Sequence, residues 1–276
     1  MAETPTLEID PSLAQRLLTS FLRTEIRRHG FQRAAVGLSG GVDSSLACFL
    51  AAEALGPENV LAVRMPYRTS SPDSLTHARL VVEATGVQEI TIPITDMVDA
   101  LLPSVPETER VRRGNLMARA RMIVLYDQSA ATRGLVVGTS NKTELLLGYT
   151  TLFGDAACAL NPLGDLYKTQ LRQLARHMKV PEPILAKPPS ADLWQGQTDE
   201  GELGFTYAEV DRLLYLLVDR RFSLEECEAA GFRADFVRSV VERIRRSQFK
   251  RLTPPIAKVS NRTVGYDFLY LRDWGT

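Results

Sequence analysis

The chain has 276 residues, 45% hydrophobic and 24% charged, and its 33 basic residues balance 33 acidic ones, so no net charge draws it to nucleic acid or to an anionic membrane. No stretch approaches the roughly 18 consecutive apolar residues of a membrane span. Cys48, Cys158 and Cys227 lack CxxC spacing, which excludes a disulfide framework or a zinc cage, and His29, His77 and His177 show no helical ligand spacing.

The N-terminal MAETPTLEIDPS has no basic region followed by an apolar run, which predicts an intracellular, cytoplasmic location. Asp10-Pro11 is a helix start, and Leu13, Leu17, Leu18, Phe21, Leu22 and Ile26 follow at helical spacing until Gly30. Three short apolar runs, AAVGL, NVLAVRM and QEITIPI, alternate with helix-like segments at 44–55 and 73–85. A longer helix over about 109–132 and a fourth strand, LVVGT at 135–139, complete the pattern. Alternating strands and helices predict an α/β fold, a doubly wound open parallel sheet with helices on both faces.

From 141 to 205 the text turns to glycine, proline and polar residues, with one clear helix from about Leu166 to Met178. A flexible functional loop is expected near 187–205, and a helical C-terminal part over 206–250, within a single domain spanning 1–276. Arg220-Arg221 and Arg245-Arg246 read as solvated helix faces rather than nucleic-acid patches.

Ligands of open α/β sheets bind outside the carboxyl ends of the strands. The first of these ends carries VGLSGGVDSS, a strand, a glycine bend and a helix start, the order that aims backbone N–H groups at an anion. No lysine follows the glycines as it does in GxxxxGK[ST]; Asp43 stands there instead, and a carboxylate among phosphates implies a bound metal ion. Gly37, Leu38, Ser39, Gly40, Gly41, Val42, Asp43, Ser44 and Ser45 form the expected phosphate loop.

SGGVDS resembles the pyrophosphate loop of the N-type ATP pyrophosphatases, which cleave ATP between the α- and β-phosphates. GTSNKTELLLGY, NPLGDLYKTQLRQLAR and KPPSADLWQGQTDEGELG are similar to the signature stretches of the NAD synthetase family within that group. The resemblance implies a ligase that adenylates nicotinic acid adenine dinucleotide (deamido-NAD) with ATP and then lets ammonia displace AMP to give NAD. It implies Mg²⁺ on Asp43 and Glu144, ATP contacts from Lys168, Thr139 and Ser190, and Asp43 and Lys168 as catalytic residues. Arg119, Leu152, Ala159 and Lys250 would meet deamido-NAD. Many bacterial relatives read roughly FTKxGDGGxD where this chain reads YTTLFGDAACAL, so Leu152 and Ala159 replace a lysine and an aspartate. At about 1.5–3 kcal/mol per charged contact, each replacement is worth roughly 10- to 100-fold in that substrate's binding.

The family resemblance also implies a homodimer, with the 109–132 helix as the expected surface. A chain of this length leaves no room for an amidase domain, so free ammonia or a separate glutaminase partner is expected as nitrogen donor. The alternatives are an AMP-forming relative acting on another carboxylate or on tRNA, and a nucleotide-binding module without catalysis.

Overall fold

The computed structural model describes residues 6–190, 194 and 196–268. Helix α1, Pro11–Arg28, begins where the sequence predicts: the Asp10 carboxylate accepts the Leu13 N–H at 3.0 Å, and Pro11 opens the first turn. Its buried side is narrower than its leucine pattern suggests. Leu22 and Ile26 are fully buried, whereas Leu13, Leu17 and Phe21 face outward.

Strands β1 (Arg33–Gly37), β2 (Val60–Arg64), β3 (Gln88–Thr91) and β4 (Gly134–Val137) form one parallel sheet in the order β3-β2-β1-β4. The register sets Ala34 against Val60 on one side and Leu135 on the other. Ala34, Ala35 and Val36 are all buried, because the central strand is covered on both faces. Beyond the strand ends, Leu160 pairs with Val137 in a parallel bridge, which lays residues 159–160 along the outer edge of β4.

Helices α2 (Val42–Leu55) and α3 (Pro72–Thr85) follow β1 and β2. The short α4 (Thr95–Asp99) and the long α5 (Arg110–Thr132) lie between β3 and β4. After β4 come α6 (Lys142–Leu147), α7 (Lys168–His177), α8 (Glu182–Ala186) and α9 (Asp199–Leu203). One apolar layer joins Leu22 and Ile26 to Leu46 and Leu50 of α2 and Leu171 and Leu174 of α7. On the other face Val63, Tyr67, Ile94 and Val98 meet Met117 and Val124 of α5. The sheet is thus wrapped on both sides, as the alternation of elements predicts.

The segment 141–205 holds more helix than its composition suggests. Beside the expected helix, here Lys168–His177, it contains α6, α8 and α9, each of five or six residues. Such pieces are too short to show apolar periodicity; side-chain caps fix α6, where Asn141 accepts from the Glu144 N–H, and α9, where Thr198 accepts from the Gly201 N–H, while α8 starts after Pro181 without one. The expected loop at 187–205 therefore ends in a helical turn; its residues 191–193 and 195 lie outside the described residues.

Over 206–250 the chain is helical as expected, with α10 (Tyr207–Leu214), a π-helical turn at Tyr215–Asp219, α11 (Leu224–Ala229) and α12 (Ala234–Arg246). These close a third apolar cluster in which Val210, Leu213, Leu214, Cys227, Val237 and Val240 pack on Leu147 and Tyr167. That cluster fastens the C-terminal helices to the two elements, α6 and α7, that reach the carboxyl end of the sheet. Among the described residues no helix is long and apolar enough to cross a membrane.

Candidate active site

The strand order reverses between β1 and β4, so the turns after these two strands splay apart and open a crevice at the carboxyl end of the sheet. On the β1 side the turn is Leu38 to Gly41. Gly40 has φ +78°, and a Cβ there would lie 2.3 Å from the Ser74 carbonyl oxygen, so this bend tolerates glycine alone. Ser39 and Ser44 place their hydroxyls 3.0 Å apart, and Ser45 donates to the Gly41 carbonyl at 2.7 Å. The serines thereby hold the shape of the turn. Gly41 is the N-cap of α2 and brings no side chain to it, so the helix presents its N-terminal N–H groups and dipole at the crevice.

Three elements deliver three charged side chains to this point. Asp43 is in the first turn of α2, Glu144 in the first turn of α6, and Lys168 is the first residue of α7. The Lys168 ammonium donates to Asp43 Oδ2 at 2.6 Å and to Glu144 Oε1 at 3.2 Å, with only 2% of its side chain exposed. Asn141 completes the link by donating from Nδ2 to Asp43 Oδ1 at 2.9 Å and from its backbone N–H to Glu144 Oε2 at 3.2 Å. The Tyr207 ring lies under the ammonium, 5.1 Å from centroid to nitrogen. Close by, Asp199 accepts from the hydroxyls of Tyr149 at 3.2 Å and Tyr207 at 3.1 Å.

The charges do not balance. Burial opposes the Lys168 charge, but the Asp43 and Glu144 carboxylates outweigh it and hold the ammonium above its ordinary range. Burial likewise pushes Glu144 up to about 8, with Asp43 and Asp199 adding to the rise and Lys168 opposing it. Asp199 is also raised, chiefly by burial. Three acidic groups face one ammonium, so ionising all three would leave the site short of positive charge.

That deficit suits a divalent cation. Among the described residues no group of three His, Cys, Asp or Glu side chains is arranged to hold a metal ion. Mg²⁺, however, commonly takes one or two carboxylates and completes its shell with water and substrate phosphates. Asp43 and Glu144, beside the N-terminus of α2, match that donor set.

The remaining predicted residues fall into two groups, with Ala159 outside both. Thr139 lies half-buried in the turn after β4, and Ser190 half-buried in the stretch after α8. Lys187, at the root of that stretch, donates to the Ser74 hydroxyl at 2.9 Å, which joins it to the helix packed against Gly40. Arg119, Leu152 and Lys250 converge on residues 148–155: Arg119 donates to the Leu152 carbonyl at 3.3 Å, and Lys250 to the carbonyls of Gly148 and Thr150 at 2.7 and 2.6 Å. Burial lowers the Lys250 ammonium, against a smaller pull from Asp155. Ala159 stands apart, exposed on the sheet edge with its N–H on the Val136 carbonyl at 2.9 Å. Cys158 packs over the end of β4, where a Cβ on Gly138 would meet its Sγ at 2.7 Å, and burial raises its thiol.

Sequence reasoning passes over Asn141, Thr143, Asp199, Tyr207 and Asp211. Asn141 was within reach, because N-x-x-E ahead of LLL is a capping-box pattern. Asp211 also left a signal, an acidic residue among the apolar positions Val210, Leu213 and Leu214. Nothing local marks Asp199 or Tyr207.

Residues 14–254 match the family model of NAD synthase. The NH(3)-dependent NAD(+) synthetase of Trichlorobacter lovleyi is 60% identical over 269 residues, covering 98% of each chain. Among solved structures, the NMN synthetase of Francisella tularensis superposes with a TM-score of 0.79 at 32% identity, covering 92% of this chain and all of that one. The NH3-dependent NAD synthetase of Campylobacter jejuni, solved with a nitrate ion, gives 0.77 at 31%, over 91% of this chain and all of that one.

Proposed function

The chain belongs to the NAD synthase family, and from that premise we propose that it is an ammonia-dependent ligase converting deamido-NAD to NAD at the expense of ATP. The nicotinate carboxylate attacks the α-phosphate of ATP and pyrophosphate departs; ammonia then attacks the acyl carbon, AMP leaves, and an amide remains. The observation that carries the reading is the Asp43–Lys168–Glu144 group lying beside the SGGVDS turn at the switch point of the sheet.

Both steps need negative charge offset and water kept from the adenylate. The Gly40 turn and the N-terminus of α2 would receive the departing pyrophosphate, and Lys168, which keeps its proton, would add a cation there. Asp43 and Glu144 would hold Mg²⁺, which when bound supplies charge neutralisation for the phosphates. Thr139 would contact ATP from the β4 side, with Ser190 reaching it from the stretch after α8. Arg119 and Lys250, gathered with Leu152 on residues 148–155, would receive deamido-NAD, with Ala159 at the edge of that surface. Two cations acting on neighbouring carbonyls offer one route around the missing lysine and aspartate.

A homodimer is the expected assembly. Ile123 and Tyr126 of α5, with Phe153 beside the Arg119 cluster, expose apolar area suited to a second copy. The three free cysteines accord with a reducing, cytoplasmic setting.

Purified protein with ATP, Mg²⁺, deamido-NAD and ammonium should yield NAD, AMP and pyrophosphate by mass spectrometry. Pyrophosphate release with another acid but no NAD would overturn the assignment, and no pyrophosphate with any acid would leave a nucleotide-binding module. The likeness to an NMN synthetase, together with Leu152 and Ala159, favours nicotinic acid mononucleotide as the second acid to try.

A further inference from the structure

Two carboxylates on one helical run grip the two segments that carry Glu144 and Lys168. Asp211, on α10, is wholly buried; it accepts from the Thr143 hydroxyl at 2.5 Å and from the Thr169 N–H at 2.8 Å. The Thr143 oxygen in turn accepts the Lys168 N–H at 3.0 Å. Thr143 precedes Glu144 in α6, and Thr169 follows Lys168 in α7, so one side chain from a third helix is tied to the neighbours of both. At the end of the π-helical turn, Asp219 repeats the arrangement by accepting from Lys142 Nζ at 2.9 Å and from the Tyr167 hydroxyl. Lys142 and Tyr167 are the residues that open α6 and immediately precede α7.

Packing alone does not ask for a carboxylate at position 211. Val210, Leu213 and Leu214 already seal that side of α10 at 0% exposure, and an acid taken out of water is costly unless its partners repay it. Burial raises the Asp211 carboxyl, while its bonds to Thr143 and Thr169 act the other way. What the bonds achieve is geometric. They occupy the first two N–H groups of α7, which fixes where Lys168 leaves the backbone, and they lock the turn of α6 from which Glu144 projects.

We propose that Asp211 is a positioning residue for the ligase reaction, holding Glu144 and Lys168 in register through Thr143 and Thr169; this rests on the function proposed above. A displacement near 1 Å in such a site costs about 10²-fold in rate.

The test is Asp211→Asn, together with Thr143→Val and Thr143→Ser, each assayed for amide formation at a temperature where circular dichroism shows it folded. Asparagine cannot accept with both of its ends: if Oδ1 keeps the Thr169 N–H, the amide nitrogen faces the Thr143 hydroxyl and its proton loses a partner. Asp211→Asn and Thr143→Val are expected to lower kcat about 10- to 100-fold per folded molecule, and Thr143→Ser, which keeps the hydroxyl, to restore it. A role in stability alone would lower Tm and leave kcat intact. Wild-type kcat in folded Asp211→Asn overturns the proposal, as does Thr143→Ser being as slow as Thr143→Val; if Asp211→Asn does not fold, the Thr143 pair decides. A wild-type enzyme forming no amide would overturn the ligase reading instead, and this one with it.

Discussion

The Lys168 ammonium lies 2.6 Å from an oxygen of Asp43, although 125 positions of sequence separate the two residues. The contact joins α2 to α7 across the crevice, and Glu144 makes it a three-membered group. Several measurable consequences come from this group and the turn beside it.

Lys168→Met should leave Asp43 and Glu144 facing each other without their cation. Removing one member of a buried ion pair costs about 3–5 kcal/mol, so the urea midpoint should fall at neutral pH. An unchanged midpoint would show that the pair adds nothing to the fold.

Asp43→Asn keeps the size of the side chain but removes its charge. Pyrophosphate release should drop by at least about 10²-fold, the scale of losing one electrostatic stabiliser of a transition state. A variant turning over near the wild-type rate would dismiss Asp43 from the chemistry.

Gly40→Ala should harm both stability and ATP use. Left-handed backbone costs a non-glycine residue roughly 1–2 kcal/mol, and the added methyl would meet the Ser74 carbonyl. A Tm equal to that of the wild type would mean that the turn relaxes freely.

Asp211 makes stability depend on pH. Burial raises its folded value above the ordinary carboxylate, so the folded state binds the proton more tightly than the unfolded chain. The resulting stabilisation is complete below the unfolded value near pH 3.9 and is lost as pH rises through the folded value, at up to about 1.4 kcal/mol per unit. Measured by urea unfolding from pH 3.5 to 7, the stability difference between wild type and Asp211→Asn should therefore narrow as pH rises. A difference independent of pH would show that this carboxylate does not titrate with folding.

The thiols should react unequally. Cys48 and Cys227 are buried and burial pushes Cys48 up to about 12, whereas Cys158 is only partly covered. A maleimide should modify Cys158 first, and peptide mass spectrometry would reveal the opposite order if this packing were wrong.

The fold was largely legible because its signals are local. Alternating apolar runs marked all four strands, and Asp10-Pro11 marked a helix start to the residue. The glycine turn before α2 was legible for the same reason, since glycine spacing and serine content are written within ten residues. Asp199 and Tyr207 were not, because their meaning comes from helices that meet Lys168 only after the chain has folded back; Asp211 showed only as an acid among apolar positions, with nothing local to name its partners. Leu152 shows the same limit, for its carbonyl meets Arg119 and no side-chain type reports that. The short helices escaped because a cap needs only one polar residue, while periodicity needs several turns.

The clamp from α10 also sets an order of assembly. A ribosome adding about 5–20 residues each second needs on the order of ten seconds to pass from Asp43 to Lys168, and more before Asp211 and Asp219 emerge. A nascent chain carrying only the glycine turn has the N-terminus of α2 but no fixed ammonium beside it. On the function proposed above, ATP cleavage would arrive late in synthesis, when the C-terminal helices dock, and chains stopped before position 211 should be idle rather than wasteful.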